Sequence, residues 1–276
     1  MKRLIISYNQ SCNLNCKFCY VDFHHQKIND RVDEIINKAT EYNFDIITFG
    51  GGDPFAKKSF RNACKSANQN GIFTHVDTNT RDIKKTDIEF IKKYVNLLGI
   101  SIDSIGIEYD KFRESKGLFK KVHSIITELD KQTNTPIKIN TIVTRLNLSS
   151  IPEIRDYILK CKNVKIWSLY QYFPLSVARK EQDRYQVSDE EFDEIIKNLE
   201  IRKLDIVVET LKIEDRIDGN LFCDEEGLVY TNSITGDYVK LSSIFDKNFA
   251  SIINHLSEKS KQKTIDRYKN LRQTGK

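Results

Sequence analysis

The sequence predicts an α/β fold of parallel strands with helices packed outside them. Three observations carry this. Short apolar runs alternate with amphipathic stretches six times over roughly the first 175 residues. Glycine, asparagine and proline punctuate the boundaries between them. After Tyr172 the rhythm breaks into one longer helix and a hairpin pattern, so a smaller unit follows the alternating one.

In chain order, residues 2–8 are a short apolar run and read as a buried strand. Residues 29–43 open on Asn and Asp and space Val32, Ile35, Ile36 and Ala39 along one helix face. A strand at 45–49 ends in Gly50-Gly51-Gly52, and a helix at 59–69 closes on Asn70-Gly71. Strand 72–76, helix 85–94, strand 97–102 and helix 116–133 follow. Pro136 introduces the strand 137–143, Pro152 sits in the tolerant first turn of helix 151–161, and 164–172 is the sixth strand. Helix 188–199 has an acidic first turn, and 205–210 is a strand. Residues 222–231 and 238–241 form a hairpin around Thr235-Gly236-Asp237, and the chain is helical from Phe245. Spacing alone leaves an incomplete barrel and an open doubly wound sheet both open. In either, chemistry belongs at the C-terminal ends of the strands.

With 276 residues, 39% hydrophobic and 30% charged, the composition is that of a soluble globular chain of one large domain, or one plus an appendage. No apolar run approaches the ~20 residues of a membrane span, and the N-terminal run is too short for a signal peptide, which places the protein in the cytoplasm. The net charge of +5 is mild. Much of the excess lies in residues 259–276, where Asp266 is the only acid. That tail reads as a solvated helix rather than a nucleic-acid arm.

Six cysteines divide into a cluster, Cys12, Cys16 and Cys19, and the scattered Cys64, Cys161 and Cys223. A clustered set in a cytosolic chain argues for metal rather than disulfides. The cluster lies on the loop after the first strand. Three thiolates there can bind three irons of a cubane and leave the fourth without a protein ligand, whereas most iron–sulfur proteins use four cysteines. The competing reading is a zinc site completed by His24 or His25.

The spacing Cys12, Cys16, Phe18, Cys19 resembles the Cys-x3-Cys-x-aromatic-Cys signature of the radical S-adenosylmethionine (SAM) superfamily. The resemblance implies a partial (β/α)6 barrel over residues 1–175, with a small α+β extension, residues 176–276, over its mouth. It implies one 4Fe-4S cluster on these cysteines, SAM on the open iron, and a 5′-deoxyadenosyl radical that takes a hydrogen atom from the substrate. An electron donor such as flavodoxin or ferredoxin would supply the cluster. Phe18 would pack near the adenine. Gly51, Gly52 and Asp53 look like the family's Gly-Gly-Glu-Pro motif, which binds the SAM amino group, with Asp in place of Glu. Thr78 and Asn79 look like the Thr-Asn-Gly turn, with Thr80 where glycine is usual. Ser101 and Asp103 share one side of the fourth strand and would face the SAM methionyl or ribose. Arg113 would pair with the SAM carboxylate, which its fork suits, the alternative being a surface charge. Asn140 would stand inside the barrel beside SAM, and Gln171 is a candidate adenine or substrate ligand.

Lys138-Ile139-Asn140, the Trp167-to-Gln171 spacing and Asp189-Glu190-Glu191-Phe192 are similar to the viperin-like group, which dehydrates nucleoside triphosphates. A nucleotide substrate is implied, with Arg145, Arg179, Lys180 and Arg184 as basic donors. Residues 224–230 and 241–245 resemble instead the auxiliary-cluster domain of peptide-maturing radical SAM enzymes, with Thr231 and Asn232 where a cysteine is expected. One cysteine cannot hold a cubane, so no auxiliary cluster is expected and a peptide maturase lacking one is the alternative. Cys223 and Tyr230 are candidate hydrogen-atom donors to a substrate radical, against ordinary packing. A non-catalytic zinc-stabilised binding protein is the remaining alternative.

Overall fold

The computed structural model describes residues 1–23, 29–201, 204–217, 220–233 and 235–256, together with Tyr268 and Leu271. His24, His25 and all of the basic tail except those last two residues lie outside the described residues.

Six parallel strands run in sequence order: β1 (Arg3–Tyr8), β2 (Ile46–Gly51), β3 (Phe73–Thr78), β4 (Leu97–Ser101), β5 (Ile137–Val143) and β6 (Val164–Gln171). That order decides between the two topologies left open above. A doubly wound sheet reverses its strand order at a switch point. Here the order never reverses, so each right-handed crossover leaves its helix on the same face and the sheet curls into part of a barrel. The crossovers are α1 (Val32–Glu41), α2 (Phe60–Gln69), α3 (Asp87–Tyr94), the paired α4 (Gly106–Phe112) and α5 (Leu118–Gln132), and α6 (Ile151–Ile158). Their apolar stripes, such as Val122, Ile125, Ile126 and Leu129 of α5, share one core with Leu4, Ile6, Phe49, Val76, Ile139 and Trp167 on the outer face of the sheet. The sequence pattern missed α4, which is only seven residues long and buries Tyr109 alone.

Beyond β6, a 3₁₀ turn at Ser176–Glu181 runs into α7 (Gln182–Tyr185), and neither was legible as a helix. Ser188 and Glu191 form a capping box at the start of α8 (Asp189–Asn198). β7 (Val207–Leu211) then adds to β6 in parallel. The chain crosses to the opposite end of the sheet, where β8 (Phe222–Cys223) pairs parallel to β1 and leads into β9 (Leu228–Asn232) and β10 (Tyr238–Ser243), both antiparallel. The expected single arm 222–231 is therefore two strands. Asp224 breaks it, because its Oδ1 accepts the N–H groups of Glu226 at 3.0 Å and Leu228 at 2.9 Å and folds the backbone into a turn. The helix α9 (Phe249–Leu256) begins four residues after Phe245. No described helix is long and apolar enough to cross a membrane.

Inside the curl, alternate residues point away from the helices. They are apolar at the floor, where Ile46, Phe73, Leu97 and Ile166 gather around Tyr268, and become polar toward the strand C-termini.

Candidate functional site

A cavity of about 550 Å³ opens at the C-terminal ends of the strands. Every residue that the radical SAM resemblance assigned to metal or cofactor binding lines it: Cys12, Cys16, Phe18, Cys19, Gly51, Gly52, Asp53, Thr78, Asn79, Ser101, Asp103, Arg113, Asn140 and Gln171.

The cysteine loop is held from three sides. Cys19 donates its N–H to the Cys16 carbonyl at 3.1 Å, which bends the loop back on itself. The Glu225 carboxylate accepts the backbone N–H groups of Asn9 at 3.0 Å and Gln10 at 3.2 Å, anchoring the limb that leaves β1. Gly52 passes so close beneath that a Cβ there would lie 2.3 Å from the Ser11 carbonyl oxygen and 2.9 Å from that of Tyr8. Phe18 is buried against Phe112, with ring centroids 4.6 Å apart, and against Tyr185 at 5.9 Å. Two donors approach the thiols: Asn79 Nδ2 stands 4.0 Å from Cys12 Sγ, and Arg113 Nη1 stands 4.0 Å from Cys16 Sγ. Burial pushes all three thiols up, Cys19 to about 12, while Arg113 opposes the rise at Cys16.

Asp53 is buried and binds three protein donors. Its Oδ1 accepts from the Phe55 N–H at 3.0 Å, and its Oδ2 from the Thr78 hydroxyl and the Asn79 N–H at 2.8 Å each. Burial pushes its carboxyl up to about 6 against the pull of these bonds. Asp53 thus welds the loop after β2 to the loop after β3. In that second loop Thr80 occupies a left-handed conformation, φ 69°, the geometry for which glycine is suited.

Asp103 and Arg113 pair with each other. Arg113 Nε and Nη2 reach Asp103 Oδ2 at 2.7 and 2.6 Å, and Asp103 Oδ1 accepts the Ile142 N–H at 2.9 Å. Arg113 is therefore a buried ion-pair partner rather than a surface charge, and only its Nη1 edge turns to the cysteines. Gln171 lines the cavity, yet its amide is taken up by the protein. Nε2 donates to Asp189 Oδ1 at 2.7 Å, and Oε1 accepts the Ile213 N–H at 3.1 Å. The side chain expected to meet adenine or substrate instead ties β6 to α8 and to the segment after β7.

Asn140 does project inside the barrel. It donates to Asp77 Oδ1 at 2.7 Å, and Lys138 Nζ donates to the Tyr170 hydroxyl at 2.7 Å on the same face. Gly99 makes room for this, because a Cβ there would fall 1.9 Å from Asp77 Oδ1. His75 Nε2 is 3.2 Å from the same oxygen without the alignment of a hydrogen bond. Burial holds the imidazole down at about 4, so it is neutral at pH 7.

With this geometry in place, residues 6–158 match the profile of the Radical SAM superfamily. The chain belongs to the radical SAM superfamily.

Two S-adenosylmethionine-dependent nucleotide dehydratases are among its relatives. The one from Flammeovirga pacifica is 25% identical over 251 residues, which cover 86% of this chain and 84% of that protein. The one from Lacinutrix mariniflava (strain JCM 13824 / KCCM 42306 / AKS432) is 28% identical over 198 residues, 66% of this chain but only 41% of the relative's length. Among solved structures, native anSMEcpe with bound AdoMet superposes with a TM-score of 0.71 at 16% identity, covering 92% of this chain and 81% of that one. Streptococcus suis SuiB bound to S-adenosylmethionine gives 0.69 at 15%, covering 89% and 64%. These likenesses bear out the α/β barrel architecture.

Membership in the radical SAM superfamily implies SAM and an iron–sulfur cluster, and the residues present fit both. Cys12, Cys16 and Cys19 are partly exposed and face one cavity. Among the described residues no three His, Cys, Asp or Glu side chains close on a point as the ligands of a single ion do. Thiolates on a cubane each bind a separate iron and need no common point.

Besides Gln171, the two expected hydrogen-atom donors of this radical SAM chain are corrected. Cys223 is fully buried in the core shared with the helices, because the two-residue strand β8 turns Phe222 to the cavity and Cys223 away from it. Tyr230 lies behind Phe222, their rings stacked at 5.3 Å, and its hydroxyl accepts from Asn9 Nδ2 at 2.9 Å. Neither lines the cavity. Of the basic donors, Lys180 lines the cavity, whereas Arg179 pairs with Asp237 at 3.0 Å, Arg184 reaches Glu181 at 3.9 Å and Arg145 bonds the Asp183 carbonyl, all at the surface. Sequence reasoning missed the cavity residues Arg3, Tyr20, Arg216 and Asn220, none of which carries a motif position, and noted Asn232 only as standing where a cysteine was expected.

Proposed function

We propose that the chain holds a 4Fe-4S cluster on Cys12, Cys16 and Cys19, cleaves SAM reductively there, and removes a hydrogen atom from a nucleotide in the same cavity. The observation that supports this most is the convergence of three partly exposed thiols, the polar strand ends and the half-buried Asn140 and Tyr170 on one cavity, with the buried Lys138 bonded to the Tyr170 hydroxyl. When bound, the cluster and SAM would supply the electron and the 5′-deoxyadenosyl radical.

The chain's own residues have separable tasks in this reading. Asn79 Nδ2 and Arg113 Nη1, each 4.0 Å from a sulfur, favour the charged thiolates. Asp53, fixed by its three donors beside Gly51 and Gly52, offers an acceptor for an ammonium group. Phe18 offers an apolar wall beside it. The described part of residues 176–256 acts as the cover of the barrel, and Leu211 and Phe222 from it line the cavity and exclude water, whereas Tyr268 packs at the floor. A one-electron donor of the flavodoxin or ferredoxin class would reach the cluster from the loop side, in the reducing cytoplasm where thiols stay free.

The relatives named nucleotide dehydratases, and the probable GTP 3′,8-cyclase of Methanocaldococcus jannaschii (strain ATCC 43067 / DSM 2661 / JAL-1 / JCM 10045 / NBRC 100440), 22% identical over 277 residues, favour a nucleotide. A peptide is the second reading. It is favoured by the fold shared over 82% of this chain with Streptococcus suis SuiB bound to precursor peptide SuiA. The test is anaerobic: reconstitution with iron and sulfide, addition of SAM and dithionite, and assay for 5′-deoxyadenosine. Product that vanishes in Cys16→Ala supports the reading, and nucleotides are then ranked against peptides by the turnover they induce. A colourless protein with one zinc and no product would sink it.

A further inference from the structure

At the seam where the chain passes from β7 to β8, the cavity wall carries charge that the cysteine and SAM side does not use. Arg216 lines it just after β7. Its guanidinium lies 5.6 Å from the Tyr170 ring centre and 5.2 Å from that of Phe173, and Nη1 donates to the Gln171 carbonyl at 2.8 Å. The ionisable groups acting on it are Tyr20, Tyr170 and Tyr238, none of them an acid at neutral pH. Enclosure accordingly lowers its affinity for its proton, the mark of a cation without a counter-charge.

Arg3 lines the same cavity from the start of β1. It donates to the Thr48 hydroxyl at 2.9 Å and to Asn220 Oδ1 at 3.4 Å, both neutral, and its charge helps hold down the Asp77 carboxyl, which binds Asn140 and leaves the guanidinium without a direct ion pair among the described residues. Asn232, at the end of β9, lines the same cavity and is only 2% exposed. Its Nδ2 donates to the Arg216 carbonyl at 2.8 Å, while its buried Oδ1 has no hydrogen-bond partner among the described residues. Buried polar groups in proteins are almost always paired, and an enclosed guanidinium without an acid is costly. Both deficits are met by one ligand with an anionic end and a hydrogen-bond donor.

We propose that Arg216 and Arg3 bind an anionic group of the substrate, a phosphate or a carboxylate, and that Asn232 Oδ1 accepts a hydrogen bond from the same molecule. This rests on the reading above that the cavity holds the substrate. Planar guanidinium groups suit either anion through paired N–H donors. Gln171, whose carbonyl accepts from Arg216, and the Tyr170 and Phe173 rings hold the fork in place.

The reconstituted protein with SAM bound is titrated by calorimetry with sodium triphosphate, CTP, cytidine and an acetylated aspartyl peptide. The wild-type chain is expected to bind at least one of the anions. Arg216→Gln should weaken that anion about 30-fold or more, and Arg216→Lys, which keeps the charge and guards against misfolding, should weaken it less. Triphosphate and CTP binding without the peptide assigns phosphate, and the reverse assigns carboxylate. An anion bound equally by wild type and Arg216→Gln overturns the proposal. So does an Arg216→Gln chain that loses SAM affinity by the same factor. Wild type that binds no anion yet forms 5′-deoxyadenosine overturns this proposal alone, and wild type that forms none overturns the reading beneath it.

Discussion

Removing Asp103 should unfold this protein more readily than any single cysteine change. Its carboxylate lies wholly out of solvent and the Arg113 side chain is 9% exposed. Asp103→Ala takes two charge-assisted bonds from Arg113, at 2.7 and 2.6 Å, and the acceptor from the Ile142 N–H. What remains is a buried guanidinium without a counter-charge. Breaking one side of such a pair costs about 3–5 kcal/mol. For a chain of this size each kcal/mol moves Tm by about 2–4 °C, so the midpoint should fall by roughly 10 °C. Circular dichroism melts and urea titrations of the unreconstituted chain read this without the cofactors. The double variant Asp103→Leu, Arg113→Met removes both charges, and should recover most of the loss because no unpaired ion is left. A single variant within about 1 kcal/mol of wild type, or a double variant no better than the single, refutes the reasoning.

Three further outcomes are expected. His75 takes up its proton near 6.5 when unfolded but only at about 4 when buried, so its own contribution to stability is full above the first value and falls by roughly 3 kcal/mol as pH drops between the two, opposed over the same window by Asp53, whose raised carboxyl adds stability as pH falls through about 6. Urea midpoints at several pH values in that window check this, and a His75→Gln chain with the same slope as wild type would count against it. Gly52→Ala places a Cβ 2.3 Å from the Ser11 carbonyl oxygen, forces the cysteine loop to shift at a cost of about 1–3 kcal/mol, and should lower the iron retained per chain after reconstitution. Iron content equal to wild type would dismiss that link. Thr80→Gly relieves a β-branched residue at φ 69° and removes a buried hydroxyl without a partner, so it should stabilise by about 1 kcal/mol, net of the extra freedom of the unfolded chain. A lower urea midpoint would show that the strain is not there to relieve.

The residues proposed for the cofactor end of the cavity were legible because they sit in short local patterns. Cys12, Cys16 and Cys19 lie within one loop, Gly51 to Asp53 within one turn, and Thr78 and Asn79 at one strand end, so spacing along the chain fixes their neighbourhood. The place of Asn140 inside the barrel was given by the family resemblance, and the cavity lining agrees with it. Boundaries such as Asn70-Gly71 and the acidic start of α8 were readable because caps and turns are made by residues next to one another.

What sequence alone left undetermined depends on pairs far apart in the chain. The sequential strand order, hence barrel over doubly wound sheet, is a matter of which backbone bonds which. Cys223 faces the core because β8 pairs with β1, more than two hundred residues earlier, in one register rather than the next. Asp103 and Arg113 satisfy each other, Gln171 is captured by Asp189 and the Ile213 N–H, and Arg216 meets Asn232 across the seam, all through contacts that no local motif encodes. Local periodicity and turn chemistry specify where elements begin and which face is apolar. The partner of a buried polar group is chosen only when the folded chain brings candidates together and expels the water that would otherwise have served.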